Sequence, residues 1–148
     1  MTFPLTIVGL GEAVFDVFPD KEVLGGTSLN VAVQAHQLLD PLGGRGVLLS
    51  RIGADDLGQR LQAEFQSRAL PLEYVQVDDA KPTGQVLVSF VDGAPRYEIV
   101  MDTAWDHLAY TDHEVGLAHA CNAVSFGSMS QRHPTAHAAT QALSLIHI

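Results

Sequence analysis

The sequence predicts an α/β fold: a mostly parallel β-sheet between helices, carrying a small accessory β-sheet. Three observations point there. Short apolar runs that end near glycine alternate with segments of helical period, the order expected when helices return the chain between parallel strands. Two extended runs, 85–91 and 96–101, break that rhythm and are joined by Asp92-Gly93-Ala94-Pro95, a hairpin signal. Hydrophobic residues make up 47% and charged residues 17%, which suits a packed chain and argues against disorder.

Residues 5–10 form a continuous apolar run closing on Gly9 and Gly11 and read as a buried strand. Residues 13–18 alternate loosely and stop at Pro19-Asp20, a second and more exposed strand. Gly25-Gly26-Thr27-Ser28 is a turn that offers an N-cap hydroxyl. Beyond it Val31, Ala35, Leu38 and Leu39 keep helical spacing until Pro41 and Gly43-Gly44 stop the helix. Val47-Leu48-Leu49 is another buried strand. Gly53-Ala54-Asp55-Asp56 leads into a helix with Leu57, Leu61 and Phe65 as its apolar stripe. Its early carboxylates suit the helix dipole.

Residues 72–77 are strand-like. In the hairpin that follows, Pro95 marks an edge or a strand start. Thr111-Asp112 caps a helix running to about His119, 123–126 is a strand, and 134–143 is a helix. The hairpin is expected to stand off the main sheet, paired with the strand at 13–18.

The formal net charge is −9 and no Lys/Arg cluster occurs, so a nucleic-acid partner is not expected. Cys121 is the single cysteine. It can form neither an internal disulfide nor a zinc site of its own, and its small neighbours predict a buried structural thiol at a strand start. There is no basic n-region followed by a long apolar stretch, and no run long enough to cross a bilayer. The expectation is a soluble, reduced, cytoplasmic protein without a membrane partner.

Several chemistries lack their residues. There is no Gly-Lys-Ser/Thr phosphate loop. Gly9-Leu10-Gly11 follows a strand, but Val14 stands where a dinucleotide fingerprint needs a small residue, and the next stretch reads as a strand. His113-Glu114 opens like a metalloprotease helix, but Leu117 occupies the second ligand position. His133 and His137 share a helical spacing without a third ligand in view, and read as surface histidines.

A polar set near strand ends remains, where open α/β sheets bind ligands. Asp16 lies inside the apolar run Val14-Phe15-Asp16-Val17-Phe18. A carboxylate there needs a partner, and it can accept two hydroxyl hydrogen bonds from a sugar diol; the alternative is a solvent-facing strand residue. Gly25-Gly26 lets backbone approach a ligand at a helix N-terminus. Asn30, in the first turn, offers a donor and an acceptor, with local capping as its alternative.

Gly9-Leu10-Gly11-Glu12 with Asp16, followed by Gly25-Gly26-Thr27-Ser28-Leu29-Asn30-Val31-Ala32, resembles the first signature of ribokinase-like (PfkB) carbohydrate kinases. Arg51-Ile52-Gly53-Ala54-Asp55-Asp56-Leu57-Gly58 and Pro82-Thr83-Gly84 resemble the segments that follow it. The likeness spans about residues 5–142. Gly93-Ala94-Pro95-Arg96-Tyr97, Ala104-Trp105-Asp106 and Phe126-Gly127-Ser128-Met129-Ser130-Gln131-Arg132 look like a fructokinase-like branch.

The resemblance implies a three-layer ribokinase-like fold with lid strands at about 13–24 and 85–101, the lid serving as a homodimer interface in some members. It implies a sugar substrate, fructose or a similar hexose, phosphorylated from ATP with Mg²⁺. Asp16 and Asn30 would hold sugar hydroxyls, Gly25 and Gly26 would lie against the sugar, and Arg96 and Tyr97 would cover it. Val14 counts against ribose.

The family's catalytic base lies in a Gly-x-Gly-Asp motif of the second half, and no such motif occurs here. The expectation is therefore an N-terminal, sugar-binding half, inactive alone, with ATP and Mg²⁺ bound only by a longer protein and no metal site of its own. Leu143-Ser144-Leu145-Ile146-His147-Ile148 matches what a transposon-end sequencing adapter encodes in frame. Residues 1–142 are thus expected to be native and 143–148 a read-through tail, an ordinary helix end being the alternative. Competing readings are a nucleoside or keto-sugar-acid kinase of the same family, a non-catalytic sugar-binding protein, and a Rossmann oxidoreductase domain disfavoured by Val14. The acid reading asks for cations near the pocket, for which Arg96 and Arg132 are the candidates.

Overall fold

A computed structural model describes residues 4–145. Four parallel strands, β1 (Thr6–Leu10), β4 (Arg45–Gly53), β5 (Val75–Asp78) and β8 (Ala123–Phe126), form the main sheet in the order β5-β4-β1-β8. A second sheet, in the order β3-β2-β6-β7, is built from β2 (Val14–Val17), β3 (Glu22–Gly25), β6 (Gly84–Val91) and β7 (Ala94–Ile99). The helices are α1 (Thr27–Leu39), α2 (Asp56–Ser67), α3 (Asp112–Ala120) and α4 (Pro134–Leu145).

Strand alternation sorts the main sheet into two cores. Val8, Leu10, Val47 and Leu49 point to one face and pack with Leu117, Ala118, Ala136, Ala139 and Leu143 of α3 and α4. Leu48 and Ile52 point to the other and pack with Leu29, Ala32 and Val33 of α1 and with Leu61 and Phe65 of α2. The result is helix, sheet, helix, the three-layer arrangement expected. Gly9 and Gly46 let α1 lie directly on the sheet, because a Cβ on either would collide with α1 backbone at Ser28 and Ala32.

The hairpin stands off this sandwich as expected. Asp92 and Gly93 both have positive φ, the twist a two-residue hairpin turn needs. Strand β6 pairs in parallel with β2, with Asp16 opposite Val86, and Pro95 sits on edge strand β7.

The structure corrects several sequence expectations. Glu22–Gly25 pairs antiparallel with β2 as β3, so Gly25, expected to open a turn, instead ends a strand that falls in the span expected for the lid. The strand expected at 72–77 begins only at Val75, since the Val75 amide is taken by Leu72 in a turn. Neither Thr27 nor Ser28 caps α1 through its hydroxyl; the cap position is Gly26, and both residues lie inside the helix. Cys121 is buried as expected, but it closes α3 rather than opening β8. Glu114 is a capping-box partner of Thr111, which explains the His113-Glu114 pair without metal chemistry. The expectation of a read-through tail at 143–148 is a different matter, one of origin that the fold does not address: residues 143–145 finish α4 with Leu143 fully buried, and 146–148 lie outside the described residues. Among the described residues no helix is long and apolar enough to cross a membrane.

Two of the quoted motifs meet as a clamp. Asp55 caps α2 by accepting from the Gly58 amide at 2.9 Å, and it also accepts from the Thr83 amide at 2.8 Å and the Thr83 hydroxyl at 2.6 Å. The Thr83 hydroxyl in turn accepts from the Gly53 amide at 3.0 Å. The start of β6, and so the root of the second sheet, is thereby fixed to the carboxyl end of β4.

Burial alone would raise the Asp55 carboxyl, but the bonds from Thr83 and Gly58 outweigh it and hold the pKa below its usual value. Asp78 and Glu114 are lowered in the same way, against burial, by the Ala80 and Lys81 amides and by Thr111 and Gln76 respectively. A depressed carboxyl stabilises the fold above its unfolded pKa, and that stability is lost as pH falls through the folded value. Urea midpoints followed downward from neutral pH are expected to hold until the unfolded values of 4.5 (Glu) and 3.8 (Asp) are reached and to fall below them. Glu114→Gln should flatten part of that fall; a midpoint that rises on acidification would contradict the assignment.

Candidate functional site

The carboxyl end of β1 turns at Gly11 and Glu12 and enters the second sheet, so the two sheets and the start of α1 surround one hollow. A cavity of about 270 Å³ there is lined by Glu12, Val14, Asp16, Gly26, Thr27, Asn30, Val86, Ile99, Trp105 and Met129. Asp16 and Asn30, singled out from sequence separately, face this same space. Among the described residues neither side chain makes a hydrogen bond or ion pair within the protein. Gly26 lines the cavity; its φ of 115° and the Glu12 carbonyl, 2.6 Å from where a Cβ would stand, leave no room for another residue. Gly25 is buried just behind, with its Cβ position 3.2 Å from Asp16 Oδ2.

Arg96 and Tyr97 are exposed on β7 and do not line the cavity. They differ in direction. Tyr97 lies on the same face of β7 as Ile99, which does line it, whereas Arg96 alternates to the opposite face.

Sequence reasoning did not single out Glu12 and Trp105 as site residues. Glu12 is buried; its carboxylate accepts from the Thr27 amide at 3.1 Å and lies 3.2 Å from the Ser28 hydroxyl, which also reaches the Leu10 carbonyl at 2.8 Å. The negative charge already sits on the positive end of α1, so this helix start is poorly disposed to take a ligand phosphate. Its place directly after Gly9-Leu10-Gly11 marks the position but does not separate a helix cap from a surface acid. Trp105 gave no signal, because its place depends on a distant pair. The Arg132 guanidinium lies 4.1 Å from the indole ring and donates to both oxygens of Asp106, at 2.6 and 2.7 Å. It also donates to the Val100 carbonyl at 2.8 Å, just beyond the end of β7. Asp106 is only 1% exposed, so this ion pair is desolvated and holds the indole against Gly84, where a Cβ would collide.

The cavity thus mixes polar and apolar lining and is lined by no lysine or arginine. It can exchange hydrogen bonds with neutral hydroxyls and meet a sugar's C–H face with Val86 and Ile99, whereas Trp105, 1% exposed, supports the wall from behind. A triphosphate has no cationic partner there, so the residues lining it do not fit ATP.

Residues 8–145 match the description pfkB family carbohydrate kinase. The chain belongs to the pfkB family of carbohydrate kinases. It is similar to a sugar kinase of Pyrococcus horikoshii, with 28% identity over 105 residues covering 71% of this chain and 33% of that protein. The crystal structure of that uncharacterized sugar kinase in complex with ATP gives a TM-score of 0.79 at 23% identity, covering 96% of this chain and 49% of the other. Fructokinase with bound ATP from Xylella fastidiosa gives 0.79 at 21% identity, covering 95% and 44%. At these identities the structural likeness establishes the fold, and the pfkB chain described here spans about half the length of both solved relatives.

Removing one partner of a buried ion pair leaves the other charge uncompensated. Arg132→Ala is expected to lower unfolding free energy by roughly 3–5 kcal/mol, read as a lower urea midpoint. A loss within experimental error would show that the Asp106 contact carries no weight.

Proposed function

We propose that this pfkB chain supplies the sugar-binding half of an ATP-dependent carbohydrate kinase, with fructose or a similar hexose as substrate. The observation that carries the proposal is the convergence of Asp16 and Asn30, both without protein partners among the described residues, on one cation-free cavity. In this reading Asp16 accepts from two adjacent sugar hydroxyls, and Asn30 donates to one oxygen and accepts from another. Gly26 lets backbone lie against the ring, and Gly25, behind it, leaves room for the Asp16 carboxylate. Val86 and Ile99 cover the ring's apolar face.

Tyr97, on the cavity-facing side of β7, adds cover when the second sheet closes and excludes water. Arg96 reaches the sugar only if that sheet shifts, so we assign it the lesser role. The outer surface of the same sheet is where a homodimer would form.

ATP and Mg²⁺ are proposed to bind to the longer protein, with Mg²⁺ neutralising phosphate charge. The family's Gly-x-Gly-Asp base is absent from these 148 residues, so the chain by itself is proposed to bind sugar without transferring a phosphoryl group.

The keto-sugar-acid alternative loses support from the same geometry. Arg132 is engaged with Asp106, and Arg96 faces away from the cavity, so no cation is placed for a substrate carboxylate. A nucleoside substrate is separated from hexose by assay.

The coding region, extended to the length of its relatives, should phosphorylate D-fructose in preference to D-ribose, a nucleoside and a keto-sugar acid. Asp16→Ala should cut kcat/KM for the sugar by at least about 100-fold, equivalent to roughly 3 kcal/mol, while leaving the ATP KM near its starting value. Unchanged sugar kcat/KM in that variant would remove Asp16 from the site.

A further inference from the structure

Outside the cavity, where β7 returns to the main sandwich, three side chains with metal-ligating atoms converge. Asp102, His107 and His133 each offer one such atom, and these lie within 4.8 Å of one another. They come from three separate pieces of chain: the segment after β7, the 3₁₀ turn Ala104–His107, and the residue just before α4. We propose that this triad is a binding site for a divalent transition ion such as Zn²⁺. The proposal does not depend on which sugar the cavity takes.

The donor set sets the ion class. Two imidazoles and one carboxylate suit zinc and its neighbours in the first transition row, while Mg²⁺ prefers oxygen ligands alone. Asp102 Oδ1 lies 2.6 Å from His107 Nε2, a hydrogen bond in the present arrangement. Tetrahedral zinc with bonds near 2.0–2.1 Å separates neighbouring ligand atoms by about 3.3 Å. An ion therefore replaces the proton between these atoms and opens their spacing by less than an ångström, on the order of 0.7 Å. The His107 and His133 rings lie 4.5 Å apart between centroids. A water completes four-coordination, since Asp102 is exposed and the ion enters from solvent.

Apart from the Asp102–His107 hydrogen bond that the ion displaces, each ligand is oriented by contacts that leave its donor atom available. Lys81 Nζ holds Asp102 Oδ2 at 2.5 Å, leaving Oδ1 for the ion. Asp102 adopts a left-handed backbone, φ 59°, which aspartate tolerates better than most residues. The His107 carbonyl accepts from Arg51 Nη1 at 3.1 Å, which fixes its backbone. His133 Nδ1 accepts from the Thr135 amide at 3.3 Å, leaving Nε2 outward, and its neighbour Arg132 is anchored on Asp106. Such outer contacts orient ligands in built metal sites. The sequence paired His133 with His137 by spacing; the fold pairs it with His107. An ion here ties the return of the second sheet to the turn that carries Trp105.

Zinc titrated into the 148-residue chain is expected to bind one ion per chain by calorimetry, to perturb emission from Trp105, the single tryptophan, and to raise the urea midpoint. His107→Gln and His133→Asn should each weaken binding at least about tenfold, and Asn at position 133 keeps an acceptor for the Thr135 amide. Asp102→Asn should weaken it as well. His137→Gln should leave it unchanged, and equal Mg²⁺ should not compete. Metal-free urea transitions of each variant, read at Trp105, report its folding. Absence of zinc binding, equal binding by the His107 and His133 variants, or loss with His137→Gln alone would each overturn the proposal.

Discussion

The seating of α1 on the carboxyl end of β1 governs most of what this chain can do. Helix and sheet touch backbone to backbone at Gly9 and Gly46, closer than any side chain would allow. Gly26 takes a positive φ so that the helix can start at once, and Glu12 folds over its first amide. That geometry puts Asn30 one turn into the helix and opposite Asp16, which the chain reaches only after leaving β1 for the second sheet. The two polar groups face each other because the helix cannot move away. The buried Glu12 charge also biases the site toward neutral hydroxyl ligands, since the helix end that commonly attracts anions is already satisfied.

Two further contacts decide where the second sheet stands. The Asp55–Thr83 clamp fixes the start of β6 to the end of β4, and the Asp106–Arg132 pair fixes the segment after β7 to the base of α4. Between these anchors β6 and β7 project as a hairpin held to the rest by β2. Its exposed Phe90, Tyr97 and Ile99 share a face with Val86 and Val88. A sheet fixed at its root and free at its tip is suited to hinge motion, which connects the packing to the proposed covering of a bound sugar. Several residues of the quoted motifs therefore act structurally: Asp55 and Thr83 in the clamp, Arg132 in the ion pair.

The sequence was most readable where one local rule decided the outcome. Apolar runs closing on glycine located β1 and β4, the Asp92-Gly93 turn located the hairpin, and the Leu61–Phe65 stripe located α2. Asp16 stood out because a carboxylate inside an apolar run demands an explanation. The rest depended on contacts between distant residues. The short strand β3 has no apolar period of its own and exists because β2 lies beside it. Glu12 carries no pattern that separates a buried helix cap from a surface acid. Trp105 joins the site through Arg132, far along the chain, and the His107–His133 approach is likewise invisible to spacing. Ser28 misled for a related reason: its hydroxyl is drawn to the Leu10 carbonyl by the close packing, and so is not spent on capping.

A crystal structure of the chain grown with D-fructose tests the central claim most directly. The account predicts a sugar in the cavity between the two sheets, with hydroxyls within about 3.2 Å of Asp16 and Asn30 and its apolar face toward Val86 and Ile99. A sugar bound elsewhere, or a cavity that stays empty at saturating fructose while the protein is folded, would contradict it.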